Sequence, residues 1–142
     1  MTRFCAFTLN QRLFAIDAER VREIVVIKSL TRVAGGGERV RGLVNLRGQI
    51  VTCLDLGIML GLGQTSAVAP LAIVVEDADE QICIAIDRVH DVFELAPTAV
   101  DPVPATVPRS MAPNLAGAHQ HREQIMLLLD LARILGSTGA PS

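Results

Sequence analysis

Four aspartates recur in matched surroundings along this 142-residue chain: Asp17, Asp55, Asp87 and Asp130. Paired carboxylates could serve general acid and base chemistry, and a small hydrolase is one class they would suit. Each of them, however, follows an apolar run at the point where a strand ends and a turn or short helix begins. An Asp there accepts backbone N–H bonds as a cap, and that is the role expected of all four. His119 and His121 share one face of a strand and could bind zinc, but neither His90 nor any cysteine stands at a recognisable ligand spacing. No serine lies in a nucleophile elbow, since Ser29, Ser66, Ser110, Ser137 and Ser142 fall in unrelated loops or at the end. Gly35-Gly36-Gly37 runs into Glu38-Arg39-Val40-Arg41 without the Gly-Lys-Ser/Thr of a phosphate loop, and reads as a flexible connector. The expectation is therefore no catalytic residue, no metal and no cofactor.

One charge resists a bland reading. In GLVNLRGQIVTCLDLG, Gly42 to Gly57, the alternation Leu43–Leu46, a turn at Arg47-Gly48-Gln49 and then Ile50–Leu54 predict a β-hairpin with a cation at its tip. An arginine between Leu46 and Gly48 lays its stem on the strands and seeks a carboxylate. Glu23 is the expected partner, because Asp55 is engaged as a cap. Glu23 belongs to a mixed-charge patch, Glu19, Arg20, Arg22 and Glu23, set around Val21.

The elements that must position these groups come from a repeat. At a fixed spacing of 75 residues, GLVNLRGQIVTCLDLGIMLG (42–61) aligns without a gap on GAHQHREQIMLLLDLARILG (117–136), with nine of twenty positions identical. Unrelated segments would share roughly one or two, so the chain holds an internal duplication. More loosely, Ala15-Ile16-Asp17 matches Ala85-Ile86-Asp87; after a two-residue deletion, Arg20-Val21 and Glu23-Ile24 match Arg88-Val89 and Asp91-Val92. Each half then runs strand, strand, short turn, loop, hairpin, short helix. The approximate halves are 4–61 and 71–136, joined by a linker at 62–70, within a single domain spanning 1–142. Strands at Arg3–Leu9 and Leu13–Ile16, and at Leu71–Glu76 and Gln81–Ile86, form two further hairpins. Ala96–Asn114 carries five of the seven prolines and reads as an ordered loop. Duplicated short strands with brief helices predict a mainly β protein of two small barrels side by side.

Composition bounds the partners. Thirteen basic and fifteen acidic residues give a net charge of −2, and there is no Trp or Tyr, which together disfavour nucleic acid. Cys5, Cys53 and Cys83 sit in apolar runs and read as buried reduced thiols, in keeping with a cytoplasmic setting. The start lacks the pattern of a signal peptide, and no run is long enough to insert in a bilayer.

The order FTL, polar turn, FAIDAERVREIV, then GLVNLRGQIVTCLDLGIMLGL, AIVVEDADEQICIAIDRVHDVFEL and LLLDLARIL resembles the CheW family of chemotaxis coupling proteins, over about Phe4 to Gly136. The resemblance implies two interlocked, pseudo-symmetric five-stranded SH3-like β-barrels with short helices. It implies a non-catalytic adaptor that couples transmembrane chemoreceptors, by their cytoplasmic tips, to the regulatory domain of a histidine autokinase, and is recruited to membrane receptor arrays. A runner-up is a CheW-like regulatory module or paralogue that competes for receptors in a non-flagellar chemosensory system. By the same resemblance Val21, Glu23, Gly42, Arg47, Val89 and Val92 are the expected protein-binding positions, with Val21, Val89 and Val92 forming an exposed apolar surface. The sequence departs from the family at Thr52, Gly57 and Gly35–Gly37, which bears on the choice of partner.

Overall fold

In a computed structural model, which describes residues 1–32, 37–63 and 71–136, four two-residue turns make four hairpins. Strands β1 (Thr2–Leu9) and β2 (Arg12–Asp17) meet at Asn10-Gln11; β4 (Val40–Leu46) and β5 (Gln49–Leu54) at Arg47-Gly48. β6 (Leu71–Asp77) and β7 (Glu80–Ile86) meet at Ala78-Asp79, and β9 (Leu115–His121) and β10 (Gln124–Leu129) at Arg122-Glu123. Positive φ at Asn10, Gln11, Arg47, Gly48, Ala78 and Arg122 gives the turns the mirror-image geometry that suits the right-handed twist of paired strands. Each β5 and β10 strand is followed by a short helix, α1 (Leu56–Met59) and α2 (Leu131–Gly136).

Two strands lie where the sequence placed only a turn and a loop: β3 (Val21–Val26) and β8 (Arg88–Leu95). Their charged residues, and a register shift in each pairing, at Val21/Glu23 and opposite Cys5/Phe7, hide the alternation that would have marked them. With them the described residues form two five-stranded sheets, ordered β8-β1-β2-β10-β9 and β3-β6-β7-β5-β4. The repeat in sequence and the sheet in space are therefore different partitions of the chain. The β1–β2 hairpin sits among the strands of the second repeat, and β6–β7 among those of the first. The linker expected at 62–70 lies outside the described residues beyond Gly63, as do Gly35 and Gly36 of the expected connector.

Register shows how closely the repeats correspond. Val40 faces Leu54 and Gly42 faces Cys53 across a bulge in β4–β5; Leu115 faces Leu129 and Gly117 faces Leu128 across the same bulge in β9–β10. In the earlier part of each repeat the match needs correcting. Parallel pairing sets Cys53 opposite Cys83 and its counterpart Leu128 opposite Ala15, so Ala15 corresponds to Cys83, not to Ala85. The shared Ala-Ile-Asp is out of register by two residues, and no deletion is needed: Val21 corresponds to Val89 and Ile24 to Val92 throughout.

Each sheet curls into a barrel closed by a bridge from the segment after its edge strand. Thr31 N–H donates to Leu43 O at 2.9 Å and Leu43 N–H to Thr31 O at 2.7 Å; Asp101 and Ala118 exchange equivalent bonds at 2.8 and 2.9 Å. The glycine beside each bridge is shared by the repeats because the closing backbone passes over it. A Cβ on Gly42 would stand 2.5 Å from Thr31 O, and one on Gly117 2.8 Å from Asp101 O.

Three apolar clusters form the core of the described residues. The largest joins the barrels: Cys5, Phe7, Leu9, Phe14 and Ile16 pack with Ile73, Val75, Ile84 and Ile86, and the Phe7 and Phe14 rings lie 5.9 Å apart. Small residues fill the barrel interiors, Ala6 and Ala15 in the first and Ala72 and Ala85 in the second. Strands buried on both faces read as near-continuous apolar runs, which is why FCAF and ICIAI carry no polar alternation. The three thiols are free and buried, as expected. Burial pushes Cys53 up to about 12 and Cys83 up to about 11.

Candidate functional site: a pinned hairpin tip

All four aspartates accept backbone hydrogen bonds. Asp17 takes the N–H of Glu19 at 2.9 Å, Asp55 that of Ile58 at 3.1 Å, and Asp130 that of Arg133 at 3.2 Å. Asp87 holds a turn in another hairpin, accepting from Asn10 N–H at 2.8 Å. Asp55 is buried and also lies 3.9 Å from the sheltered guanidinium of Arg41. His119 Nδ1 stands 3.0 Å from the Ala99 carbonyl and the His121 ring packs on Phe93 at 4.4 Å, so the two histidines serve separate contacts. Among the described residues, no cluster of three or more His, Cys, Asp or Glu could hold a metal.

Arg47 lies at the tip of β4–β5 with its side chain 72% exposed, and its Nη2 donates to Glu23 Oε2 of β3 at 2.6 Å. The pairing expected from the sequence is present. It spans the seam between the two edges of the second barrel, so an exposed cation is held in one place by a charge-assisted bond. Asn45, which sequence reasoning passed over, holds the same tip: its Oδ1 accepts the Gly48 N–H at 2.8 Å. An Asn three residues ahead of a turn glycine was the available signal. Behind Glu23 the charged patch is tied to β6, with Arg22 bridged to Glu76 and Arg20 Nη2 donating to Glu76 O at 3.3 Å.

The hydrogen bond from Arg47, with its charge adding to the effect, holds the Glu23 carboxyl below its ordinary range. A depressed carboxyl is already ionised at its ordinary value, so the pair stands intact above that value and is lost as pH falls through the lowered one. A carbon-detected titration should find Glu23 ionising at lower pH in the native chain than in Arg47→Ala. Coincident curves would show that the bond does not hold in solution.

The expected apolar surface needs correction. Val92 is 54% exposed, but Val21 and Val89 are half-buried against the core between the barrels. The bulges in β3 and β8 turn these valines inward. Val21→Asp would bring a charge to the core edge, and should cost about 1–3 kcal/mol, lowering the thermal midpoint by roughly 5 °C or more. A midpoint within about 2 °C of native would return Val21 to the surface. Apart from Met1, the large apolar side chains exposed among the described residues are Ile24, Val26, Ile50, Val92 and Ile125. Four of these form two corresponding pairs, Ile24 with Val92 and Ile50 with Ile125, so both barrels offer the same apolar points. Gly42, another expected contact, is buried beneath Thr31 and acts on the fold.

The model of the CheW-like domain matches residues 3–139. The chain belongs to the CheW-like family. It is 28% identical over 135 residues to the chemotaxis protein CheW of Klebsiella aerogenes, covering 94% of this chain and 81% of that one. The Helicobacter pylori chemotaxis protein CheW gives the same identity and the same coverage. The fold matches the crystal structure of the scaffolding protein TtCheW from Thermoanaerobacter tengcongensis with a TM-score of 0.79, at 23% identity, over 92% of this chain and 84% of that one. As a CheW-like protein the chain is a chemotaxis adaptor that catalyses no reaction. Among the described residues, no helix is long and apolar enough to cross a membrane.

Proposed function

We propose that this CheW-like chain couples the cytoplasmic tips of transmembrane chemoreceptors to the regulatory domain of a CheA-like histidine kinase, working in the cytoplasm at membrane receptor arrays. The observation that carries this reading is the presentation of matching apolar points on both barrels, Ile24 and Ile50 on one and Val92 and Ile125 on the other. Exposed apolar side chains repeated at corresponding sites give one small molecule two faces for partners, as bridging requires. Arg47, fixed by Glu23 and standing above the second barrel, supplies a charge that orients an incoming partner more than it adds affinity. Of the six positions Val21, Glu23, Gly42, Arg47, Val89 and Val92, three meet partners, namely Val92, Arg47 and Glu23, while Val21, Val89 and Gly42 hold the surface that does.

The test is capture with a receptor cytoplasmic tip and a kinase regulatory domain, each alone and then together. A coupler retains kinase on immobilised receptor only when the chain is present. Receptor binding without kinase recruitment would replace coupling by competition for receptors.

A further inference from the structure

The two barrels carry the same charged pair across their seams and engage it differently. Strand register puts Arg122 in the first barrel at the position of Arg47 in the second, and Asp91 at that of Glu23. The turns agree at their first residue, with φ of 56° at Arg122 and 50° at Arg47, and part at the second, where Gly48 has φ 89° and Glu123 lies outside the positive-φ region. Yet where Arg47 and Glu23 join, Arg122 and Asp91 stand apart, and neither belongs to an ion pair among the described residues.

Between them lies a cleft of about 560 Å3, bordered by His90, Asp91 and Phe93 of β8 and by His121, Arg122 and Glu123 at the β9–β10 tip. The residues beneath the charges differ as well. The second barrel has Val25 and Leu46, aliphatic and packed in its interior, at the positions where the first has Phe93 and His121. Two rings 4.4 Å apart occupy more width than Val and Leu, and Asp91 reaches one methylene less than Glu23.

We propose that the seam of the first barrel is a latch poised to close, in which Asp91 and Arg122 join as Glu23 and Arg47 already do and shut the cleft over the Phe93–His121 rings. Neither charge holds an ion pair among the described residues, so closure breaks none and requires the tip to move across the rings. Glu123 and His90 border the same cleft. The second barrel thus offers a fixed tip and the first an adjustable one.

Amide hydrogen exchange on the full chain, read at residues 89–93 and 119–124, tests this in the native protein, Asp91→Asn, Arg122→Gln and the double variant. A closing latch protects these amides, so each single change should speed exchange by about two- to five-fold, the scale of an exposed ion pair. The double variant should exchange no faster than either single one, because removal of one partner already removes the contact. Amides of β6 serve as the control and should not change. Singles that match native, effects that multiply in the double variant, or equal acceleration in β6 would each overturn the latch.

Discussion

Gly42→Ala should lower the thermal midpoint by on the order of 10 °C, through a loss of roughly 2–4 kcal/mol. The added methyl would meet Thr31 O at 2.5 Å and Leu30 Cγ at 3.0 Å, and the first of these is backbone that no rotamer change can move. Relief requires the closing segment to withdraw, which gives up two hydrogen bonds between Thr31 and Leu43, each worth about 1 kcal/mol. Gly117→Ala meets Asp101 O at 2.8 Å and Val100 Cγ1 at 2.6 Å, and should also destabilise the fold, though less, since the valine side chain can turn. Gly136→Ala meets nothing within 4 Å and should leave the midpoint near native. Calorimetry of the three variants compares them directly: a Gly42→Ala midpoint within about 2 °C of native would show that the closing segment moves aside freely.

Arg47→Glu should reduce capture of receptor or kinase by at least about tenfold while the chain stays folded. The substitution sets two carboxylates where an ion pair spans the seam, so the tip loses its tether to β3 and presents the opposite charge. Because the site is exposed, the fold has little to lose. Adding Glu23→Arg separates two ways in which Arg47 acts. The reversed pair can tie the tip again but carries its positive charge on β3, so recovered binding would assign Arg47 to holding the seam, and persistent loss would assign it to direct contact. Wild-type capture by Arg47→Glu alone would remove the tip from the binding surface.

The legible parts of this molecule were those where a residue type stood in conflict with its surroundings. An arginine in a tight turn between apolar strands needed a carboxylate, and Glu23 provides it. Aspartates at strand ends needed backbone donors and found them. The repeat of 42–61 at 117–136 was visible because its hairpin and helix combine fixed turn, cap and glycine positions. In the earlier part of the repeat Ala-Ile-Asp aligns two residues out of register because strands buried on both faces, such as Leu13–Ile16 and Cys83–Ile86, record little of their register in residue type. Exposure of Val21 and Val89 was misjudged for a related reason: a bulge reverses which face a residue takes, and no residue type announces it here. Which hairpin joins which sheet depends on edges that meet only in three dimensions.

That exchange of hairpins has a consequence for how such a chain can be divided. A fragment holding β1–β5 would own three strands of one barrel and two of the other, and both sets would end in bare edges. It could complete them only by trading hairpins with a second fragment, so one repeat alone is half of a dimer. Joining two repeats in one chain turns that obligate partnership into an intramolecular one, independent of concentration, and frees each copy to diverge: one tip tied, the other open.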